Sequence, residues 1–272
     1  MRPHKGLYKY MNERKLGWLP DLPDHRDHTA MLSKVGTRPS KVSLERNFFS
    51  PIENQGSLGS CTANAAAGIV EYCEKKATSR HVDISRLFLY KVTRKLMGVT
   101  GDTGAYLRDT IKALRMIGAP PEKHYPYVIA NFDKEPDAFA YSLASNYKSL
   151  SYFRVDAPGL SNRDILSSMK DKLSINMPLM FGFTCFSSIY SASADKGFIP
   201  YPSPGEDTVG GHAVTAVGYD DATGLIEIRN SWGTGWGQSG YGFLPYDYVL
   251  NGLVNDIWGI TQQSWVDLGI FN

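Results

Sequence analysis

The chain has 272 residues, of which 42% are hydrophobic and 21% charged, and this length and balance exclude an intrinsically disordered or fibrous protein. Its 29 basic and 27 acidic residues are interspersed and leave a net charge of +2, so we expect neither nucleic acid nor an anionic membrane as a partner. No apolar run of signal-peptide or membrane-spanning length occurs, which leaves the compartment open between the cytoplasm and export without a classical signal peptide.

The three cysteines are Cys61, Cys73 and Cys185, and an odd number leaves at least one thiol free. Their spacing, to one another and to the histidines, is not that of a zinc site, and we expect no metal and no other cofactor. So few cysteines favour a reducing compartment.

The first 41 residues differ in character from the rest of the chain. They contain four prolines and a charge-rich run at residues 21–27, and they lack the apolar periodicity of a helix or a strand. We therefore predict an extended N-terminal arm over residues 1–41, followed by a folded catalytic domain over residues 42–272.

Apolar residues at helical spacing predict three helices. The first begins at Cys61, in an alanine-rich stretch, with Ser60 as its N-cap. The second covers residues 107–117 and is closed by a Gly-Ala-Pro-Pro sequence. The third begins near residue 161 and must end before Pro178.

The second half of the chain has the composition of strands. β-Branched and aromatic runs, separated by Gly, Pro and Asp, predict strands over residues 179–184, 212–219, 225–230 and 241–244. Helices followed by strands favour an α+β protein of two lobes with a cleft between them.

A hairpin is predicted to place an asparagine beside a histidine. The turn at residues 220–224 reverses the chain, and antiparallel partners around it have numbers that sum to about 444. His212 then faces the neighbourhood of Asn230 and Trp232. The Asn side-chain oxygen can accept the imidazole N–H, and Trp232 can shield that hydrogen bond from water.

Cys61 stands where a nucleophilic thiol would be activated. A thiol attacks a carbonyl as thiolate, and the N-terminus of a helix or an adjacent imidazole lowers its pKa. The preceding residues 55–60 include glycines that allow a substrate to approach the backbone, and the Gln55 amide can donate to an oxyanion. These are the parts of an acyl-transfer site.

Together these residues resemble the papain family of cysteine peptidases. Gln55 precedes Cys61 by six residues, as the oxyanion glutamine does in that family. Gly-His-Ala at residues 211–213 resembles the family's histidine strand, and Asn-Ser-Trp-Gly-Thr-Gly-Trp-Gly at residues 230–237 nearly repeats its asparagine segment. The resemblance extends from about residue 50 to residue 248. We identify the chain as a member of a divergent microbial branch without the usual disulfides.

The resemblance implies a papain-like fold, with a helical lobe over about residues 55–150, a β-barrel-like lobe over about residues 151–272 and the active site between them. It implies a thiol protease, made as a zymogen, that hydrolyses peptide bonds of a peptide or protein substrate through a thioacyl-enzyme on Cys61. In that reaction His212 is the acid and base, Asn230 orients it, and Gln55 contributes to the oxyanion hole.

The resemblance also assigns substrate contacts. Gly104 is expected to bind the substrate backbone, and Gly211 and Ala213 to line the pocket for the residue two before the cut. Trp232 and Trp236 are assigned to substrate binding as well. Since neither Gly211 nor Ala213 carries a charge, we predict an apolar side chain in that pocket.

The sequence departs from the family at two positions near the nucleophile. Leu58 replaces a cysteine, so the family's usual disulfide from that position cannot form, and Thr62 replaces an aromatic residue, which puts the subsite contacts there in doubt. His212 and Asn230 lie further from Cys61 than the family's spacing of about 130–150 residues. An insertion at residues 191–207 would account for the difference.

Three questions remain open at the level of sequence. The arm is either a tail packed on one lobe or a short pro-segment that lies in the cleft and inhibits the enzyme. The same triad would serve an acyltransferase, in which an amine or hydroxyl replaces water. The third possibility is a peptide-binding module that no longer catalyses a reaction. The presence of all four residues argues against it: Gln55, Cys61, His212 and Asn230.

Overall fold

A computed structural model describes residues 15–29, 37–192 and 196–265 of the chain. The helices among these residues are α1 Cys61–Thr78, α2 Arg86–Leu96, α3 Leu107–Met116, α4 Ala138–Ala144, α5 Asn162–Ser174 and α6 Tyr246–Leu250. The strands are β1 Trp18–Leu19, β2 Lys41–Ser43, β3 Ala105–Tyr106, β4 Tyr147–Arg154, β5 Leu179–Phe186, β6 Thr208–Asp220, β7 Leu225–Arg229, β8 Tyr241–Pro245 and β9 Val254–Trp265. None of the helices described is long and apolar enough to cross a membrane.

The three predicted helices are present, but the predicted side-chain cap of α1 by Ser60 is not formed. Ser60 lies at the N-cap of α1 but makes no capping hydrogen bond, because its hydroxyl lies 2.6 Å from the hydroxyl of Tyr127. Helix α5 is capped as its sequence suggests, with the Ser161 hydroxyl accepting from the Asp164 N–H at 3.2 Å. The alanine-rich first turns of α1 are buried, which places Cys61 inside the molecule.

The main sheet is organised around β6. Its strand order is β4-β9-β5-β6-β7-β8, and β2 also pairs with β6 near the far end of that strand. The first part of β6 pairs with β5 and the second part with β7, both antiparallel. All four predicted strands lie in this sheet, and helices beside a mostly antiparallel sheet confirm the α+β class.

Buried apolar residues form two clusters. One contains residues of α1, α2 and α3, and the other fills the space between the sheet and helices α5 and α6. Strands β5 and β6 contribute to both clusters: Met180 and Ala213 belong to the helical cluster, whereas Phe181 and Val214 belong to the other. The alternation of side chains along a strand explains this division, and it places β5 and β6 at the junction of the two cores.

The N-terminal arm runs between these two cores. Strand β1 pairs in parallel with β3, with Trp18 opposite Ala105. Trp18 itself belongs to the helical cluster and is 5% exposed. Residues 1–14 and 30–36, which the sequence also assigned to the arm, lie outside the described residues.

Candidate active site

Cys61 is the first residue of α1 and is fully buried. Burial raises the pKa of its thiol to about 11, and the backbone N–H groups of Ala213, Gly17 and Thr62, which point at the sulfur, act in the opposite direction. Two of these amides belong to other elements: Ala213 to β6 and Gly17 to the arm. The thiol therefore lies where α1, the histidine strand and the arm meet.

His212 and Asn230 are hydrogen-bonded as the hairpin predicted. His212 Nε2 lies 2.8 Å from Asn230 Oδ1, and the same oxygen accepts from the Ser231 N–H at 2.8 Å. Because this oxygen can only accept, Nε2 is the protonated ring nitrogen. The pairing of β6 with β7 carries the two residues there: Thr215 lies opposite Arg229, whose numbers sum to the predicted 444.

Trp232 covers this hydrogen bond. Its ring stacks on the imidazole of His212, with centroids 4.5 Å apart and an angle of 25° between the planes. Trp236 packs edge-on against Trp232 at 5.6 Å and has no exposed surface. In this structure Trp236 supports Trp232, and its assignment to substrate binding stays a prediction.

Gln55 is held in place through both the oxygen and the nitrogen of its side-chain amide. Its Oε1 accepts from the Ser231 hydroxyl at 2.7 Å, and its Nε2 donates to the Leu58 carbonyl at 2.8 Å. The backbone is fixed as well, because the Gln55 N–H donates to the Ser231 carbonyl at 2.9 Å and the Gly233 N–H donates to the Glu53 carbonyl at 2.8 Å. The glutamine loop and the asparagine segment thus form one hydrogen-bonded unit.

The second acceptor of the Gln55 amide comes from the arm. Gln55 Nε2 lies 2.9 Å from the carbonyl oxygen of Lys15, so a backbone carbonyl occupies the position at which this amide would stabilise an oxyanion. The Lys15 ammonium is fixed beside it by the Asp102 carboxylate at 2.6 Å and the Asp102 carbonyl at 2.8 Å.

The backbone of the arm passes very close to glycines of the helical lobe. The Ala105 N–H donates to the Gly17 carbonyl at 2.8 Å. A Cβ atom at Gly17 would overlap the Gly59 carbonyl, and one at Gly104 would overlap the Gly17 carbonyl. Gly104, predicted to bind a substrate backbone, here contacts the backbone of the arm.

The Trp18 ring lies on one face of the paired strands β5 and β6. A Cβ atom at Gly182 or at Gly211 would overlap its indole ring. The indole N–H donates to Asp256 Oδ2 at 3.1 Å. Gly211 was among the predicted site residues. The contact of Trp18 with Asp256 was not predicted, because no local pattern connects two residues that are 238 positions apart.

Beyond Trp18, a buried cluster of charges anchors the arm. Arg108 forms a bidentate pair with Asp27, at 2.8 and 2.5 Å. Arg154 contacts Asp27 at 3.3 Å and Asp256 at 2.8 Å. Asp21 Oδ1 accepts from the Arg108 N–H at 3.1 Å. Burial and the neighbouring Asp256 raise the pKa of Asp21 to about 7.

Leu58 and Thr62, the two departures from the family near Cys61, are both buried. Leu58 is buried, and all three cysteines are free, as the sequence predicted for a chain without the usual disulfides. Thr62 is buried and accepts from the Thr110 hydroxyl at 3.1 Å, so it faces the helical lobe and not a subsite. Within the described part of the chain, no group of three or more His, Cys, Asp or Glu residues could hold a metal ion.

A cysteine at a helix N-terminus, a histidine oriented by an asparagine and a glutamine amide beside them define a papain-like cysteine peptidase. The profile of the papain family of cysteine proteases matches residues 39–251, and the chain belongs to that family.

Individual relatives agree with this assignment. An uncharacterized peptidase C1-like protein of Acanthamoeba polyphaga mimivirus is 37% identical over 274 residues, which cover 92% of this chain and 88% of the viral protein. The crystal structure of xylellain, a cysteine protease from Xylella fastidiosa, superposes with a TM-score of 0.82 at 35% identity and covers 91% of this chain and 96% of xylellain. This similarity confirms the two-lobed papain-like fold and is consistent with a microbial branch.

More distant relatives are longer proteins. The ragweed pollen allergen Amb a 11, a cysteine protease solved in its proform, has a TM-score of 0.66 at 24% identity, covers 85% of this chain and 69% of that one, and shows the fold alone. The chain spans only 56–67% of the length of further curated relatives that are 24–29% identical to it.

Proposed function

We propose that this peptidase hydrolyses peptide bonds through a thioacyl-enzyme on Cys61. The observation that supports this most is the His212–Asn230 hydrogen bond of 2.8 Å, one residue away from the Ala213 amide that points at the thiol. With Nε2 bonded to Asn230, Nδ1 is the ring nitrogen that exchanges a proton with the thiol.

The reaction has two halves. The Cys61 thiolate attacks the peptide carbonyl, a C–S bond forms as the C–N bond breaks, and His212 gives its proton to the leaving amine. Water then attacks the thioester, His212 takes the proton from that water, and the thiol is regenerated with release of the acid. The Gln55 side chain and the Cys61 N–H stabilise the oxyanion in both halves.

The cleft residues take the remaining roles. Gly104 binds the substrate backbone, Gly211 and Ala213 line the pocket for the residue two before the cut, and Trp232 shields the His212 hydrogen bond. The contacts of Gly104 and Gly211 with the arm support this assignment, because the arm lies where an extended peptide would lie.

The N-terminal arm keeps the enzyme inactive until it is displaced. Two contacts and one burial support this inhibition. The Lys15 carbonyl lies against the Gln55 amide, and the Gly17 N–H points at the thiol. Cys61 has no exposed surface. Residues 1–41 are then a short pro-segment, and residues 42–272 are the catalytic domain.

Labelling of Cys61 tests the nucleophile. A peptide-like epoxide that reacts with thiols is expected to modify one site per chain once the arm is displaced, and peptide mapping is expected to place the adduct on Cys61. The Cys61→Ala chain is the control and should take up no label. Modification of Cys73 or Cys185 in place of Cys61 would contradict the assignment.

A single glycine tests the inhibition. Because a Cβ atom at Gly17 would overlap the Gly59 carbonyl, Gly17→Ala should push the arm out of the cleft and leave every cleft residue unchanged. The peptidase rate is expected to rise by about tenfold or more. Gly235→Ala is the matched control, since a Cβ atom there meets nothing within 4 Å. Equal rates of the Gly17→Ala and original chains would refute inhibition by the arm.

Product analysis distinguishes hydrolysis from acyl transfer. If water is the acceptor, mass spectrometry should find the free acid as the main product, with little change when a primary amine is added. A dominant amide product at modest amine concentration would establish the acyltransferase alternative.

A further inference from the structure

The indole of Trp18 is buried against two glycines. The ring lies against Gly182 of β5 and Gly211 of β6, and a Cβ atom at either position would overlap it. Trp18 is 5% exposed and shares its buried cluster with Ala213, whose N–H points at the Cys61 thiol. Displacement of the arm would therefore leave a cavity of the shape of an indole beside Cys61.

A carboxylate lies at the base of this cavity. Asp256 Oδ2 accepts from the Trp18 indole N–H at 3.1 Å and from the Asp21 N–H at 2.7 Å, while Oδ1 accepts from Arg154 at 2.8 Å. Both donors to Oδ2 belong to the arm. When the arm leaves, a buried carboxylate oxygen is left to be satisfied by whatever enters the cavity.

The charges around Asp256 decide which donor suits it. Displacement of the arm removes two negative charges, those of Asp21 and Asp27. Two positive and two negative groups remain around the cavity: Arg108, Arg154, Asp156 and Asp256. A lysine or arginine side chain would enter a cavity of no net charge and would approach Arg154. A neutral N–H on a flat ring has no such cost.

We propose that this cavity, already assigned to the residue two before the cut, selects tryptophan in this chain, and that Asp256 is the specificity-determining residue. The inference rests on the proposed function, since it names the substrate class of the same site. It sharpens the apolar preference predicted from Gly211 and Ala213 by adding a requirement for one hydrogen-bond donor at the far end of an aromatic side chain.

Three fluorogenic peptide amides test the proposal in the Gly17→Ala chain. They carry tryptophan, 3-benzothienylalanine or leucine at the second position before the leaving group. Benzothienylalanine has the shape of tryptophan with sulfur in place of N–H, so the ratio of kcat/KM for these two isolates the hydrogen bond. We expect tryptophan to be preferred by about tenfold or more.

Two substitutions assign the effect to the cavity. Asp256 has a φ of 56°, which asparagine tolerates; in Asp256→Asn the amide oxygen should turn to Arg154 and present its NH₂ group to the indole. The tryptophan to benzothienylalanine ratio should then fall to about one. Gly182→Ala should reduce both aromatic substrates relative to leucine. Asp247→Asn is the control, because Asp247 is exposed on α6, and it should keep the original ratio.

The leucine substrate distinguishes failure of the proposed function from failure of the pocket assignment. If no substrate is cut, the proposed function fails and the pocket assignment fails with it. If leucine is cut but tryptophan is no better than its sulfur analogue, or if Asp256→Asn leaves the ratio unchanged, the pocket assignment alone is overturned. A fourth peptide amide, with arginine at the same position, would overturn it too if it were cut faster than the tryptophan substrate.

Discussion

At the scale of single residues, the site depends on side chains that position the reacting groups. Ser231 is the clearest case, since its hydroxyl donates to Gln55 Oε1 at 2.7 Å and its backbone N–H donates to Asn230 Oδ1 at 2.8 Å. One residue thereby orients both the Gln55 amide and the Asn230 amide. Only the first of these contacts uses the side chain.

Ser231→Ala should therefore weaken the oxyanion contact and leave the imidazole contact in place. Loss of the hydroxyl leaves Gln55 Oε1 buried without this donor, so the amide is less well aimed in the transition state. In the Gly17→Ala chain we expect kcat to fall by about tenfold or more, with little change in KM. Steady-state kinetics check this, and Ser145→Ala, at an exposed serine after α4, is the matched control. A change confined to KM would contradict it.

The reactivity of Cys61 should report whether the arm is docked. Burial raises the pKa of the thiol to about 11, so at pH 7.5 the docked chain holds almost no thiolate. Displacement of the arm by Gly17→Ala restores water and should lower that pKa. Alkylation of Cys61 by iodoacetamide is expected to be at least about tenfold faster at pH 7.5 in this variant, and its rate should level off at a lower pH. Mapping of the modified cysteine excludes a contribution from Cys73 or Cys185.

At the scale of elements, the arm binds to the rest of the chain through the kinds of contact that a separate peptide would make. Strand β1 adds to β3, the Trp18 ring fills a cavity, and the Lys15 carbonyl binds the Gln55 amide. These contacts combine main-chain hydrogen bonds with one buried side chain, as in recognition of an extended peptide. The same contacts should be available to a separate peptide.

A synthetic peptide of residues 15–29 should inhibit the Gly17→Ala chain competitively. Because Trp18 supplies most of the buried apolar surface of β1, a peptide with Trp18→Ala should need at least about tenfold higher concentration for the same inhibition. Inhibition constants measured against a fluorogenic substrate check this, and a scrambled peptide of the same composition is the control. Equal potency of the two peptides would exclude Trp18 as an anchor.

The sequence reveals those elements whose signals are local. The start of α1 at Cys61 and the β6–β7 hairpin with His212 and Asn230 follow from periodicity and a turn. Helix α2 was missed although its sequence carries signals: Ser85 caps its N-terminus by accepting from the Phe88 N–H, and its last turn contains Arg94 and Lys95.

Contacts between distant segments were beyond local patterns. Strand β9 mixes Asp, Gly and Gln with apolar residues and gives no clear alternation, so neither the strand nor Asp256 was found. The arm was correctly described as lacking periodicity, but its position depends on sterics at Gly17 and on salt bridges that tertiary structure alone brings together. The pocket was therefore predicted from Gly211 and Ala213 alone, and Asp256 enters it only through the proposal made from the Trp18 contact.

At the scale of the whole molecule, the arm is anchored at the junction of the two cores through charges. Arg108 of α3 and Arg154 of β4 both contact Asp27, while Asp21 lies in the same cluster between Asp256 and the Trp258 indole N–H. Both aspartates come from the arm. Its docking is thus linked to protonation of the cluster.

This linkage predicts that docking weakens as the pH rises. In the docked chain burial and Asp256 raise the pKa of Asp21 to about 7, whereas in a released, solvated arm an aspartate titrates at about 3.9. Between these values the docked arm holds a proton that the released arm has lost, so docking takes up a proton. The docking equilibrium should fall by up to about tenfold per pH unit from about pH 4 to pH 7 and change little above that.

The ratio of rates in the Gly17→Ala and original chains measures docking at each pH, because the pH dependence of catalysis itself is common to both and cancels. We expect this ratio to be largest near pH 4–5 and to shrink towards pH 7.5. Asp21→Asn mimics the protonated carboxyl, so in that background the ratio should stay high across the range. Asp24 is a suitable control, since its partner Arg26 belongs to the same arm and Asp24→Asn should leave the pH dependence in place. A ratio that grows with pH would show that the Arg154–Asp21 attraction, across 3.8 Å, outweighs burial.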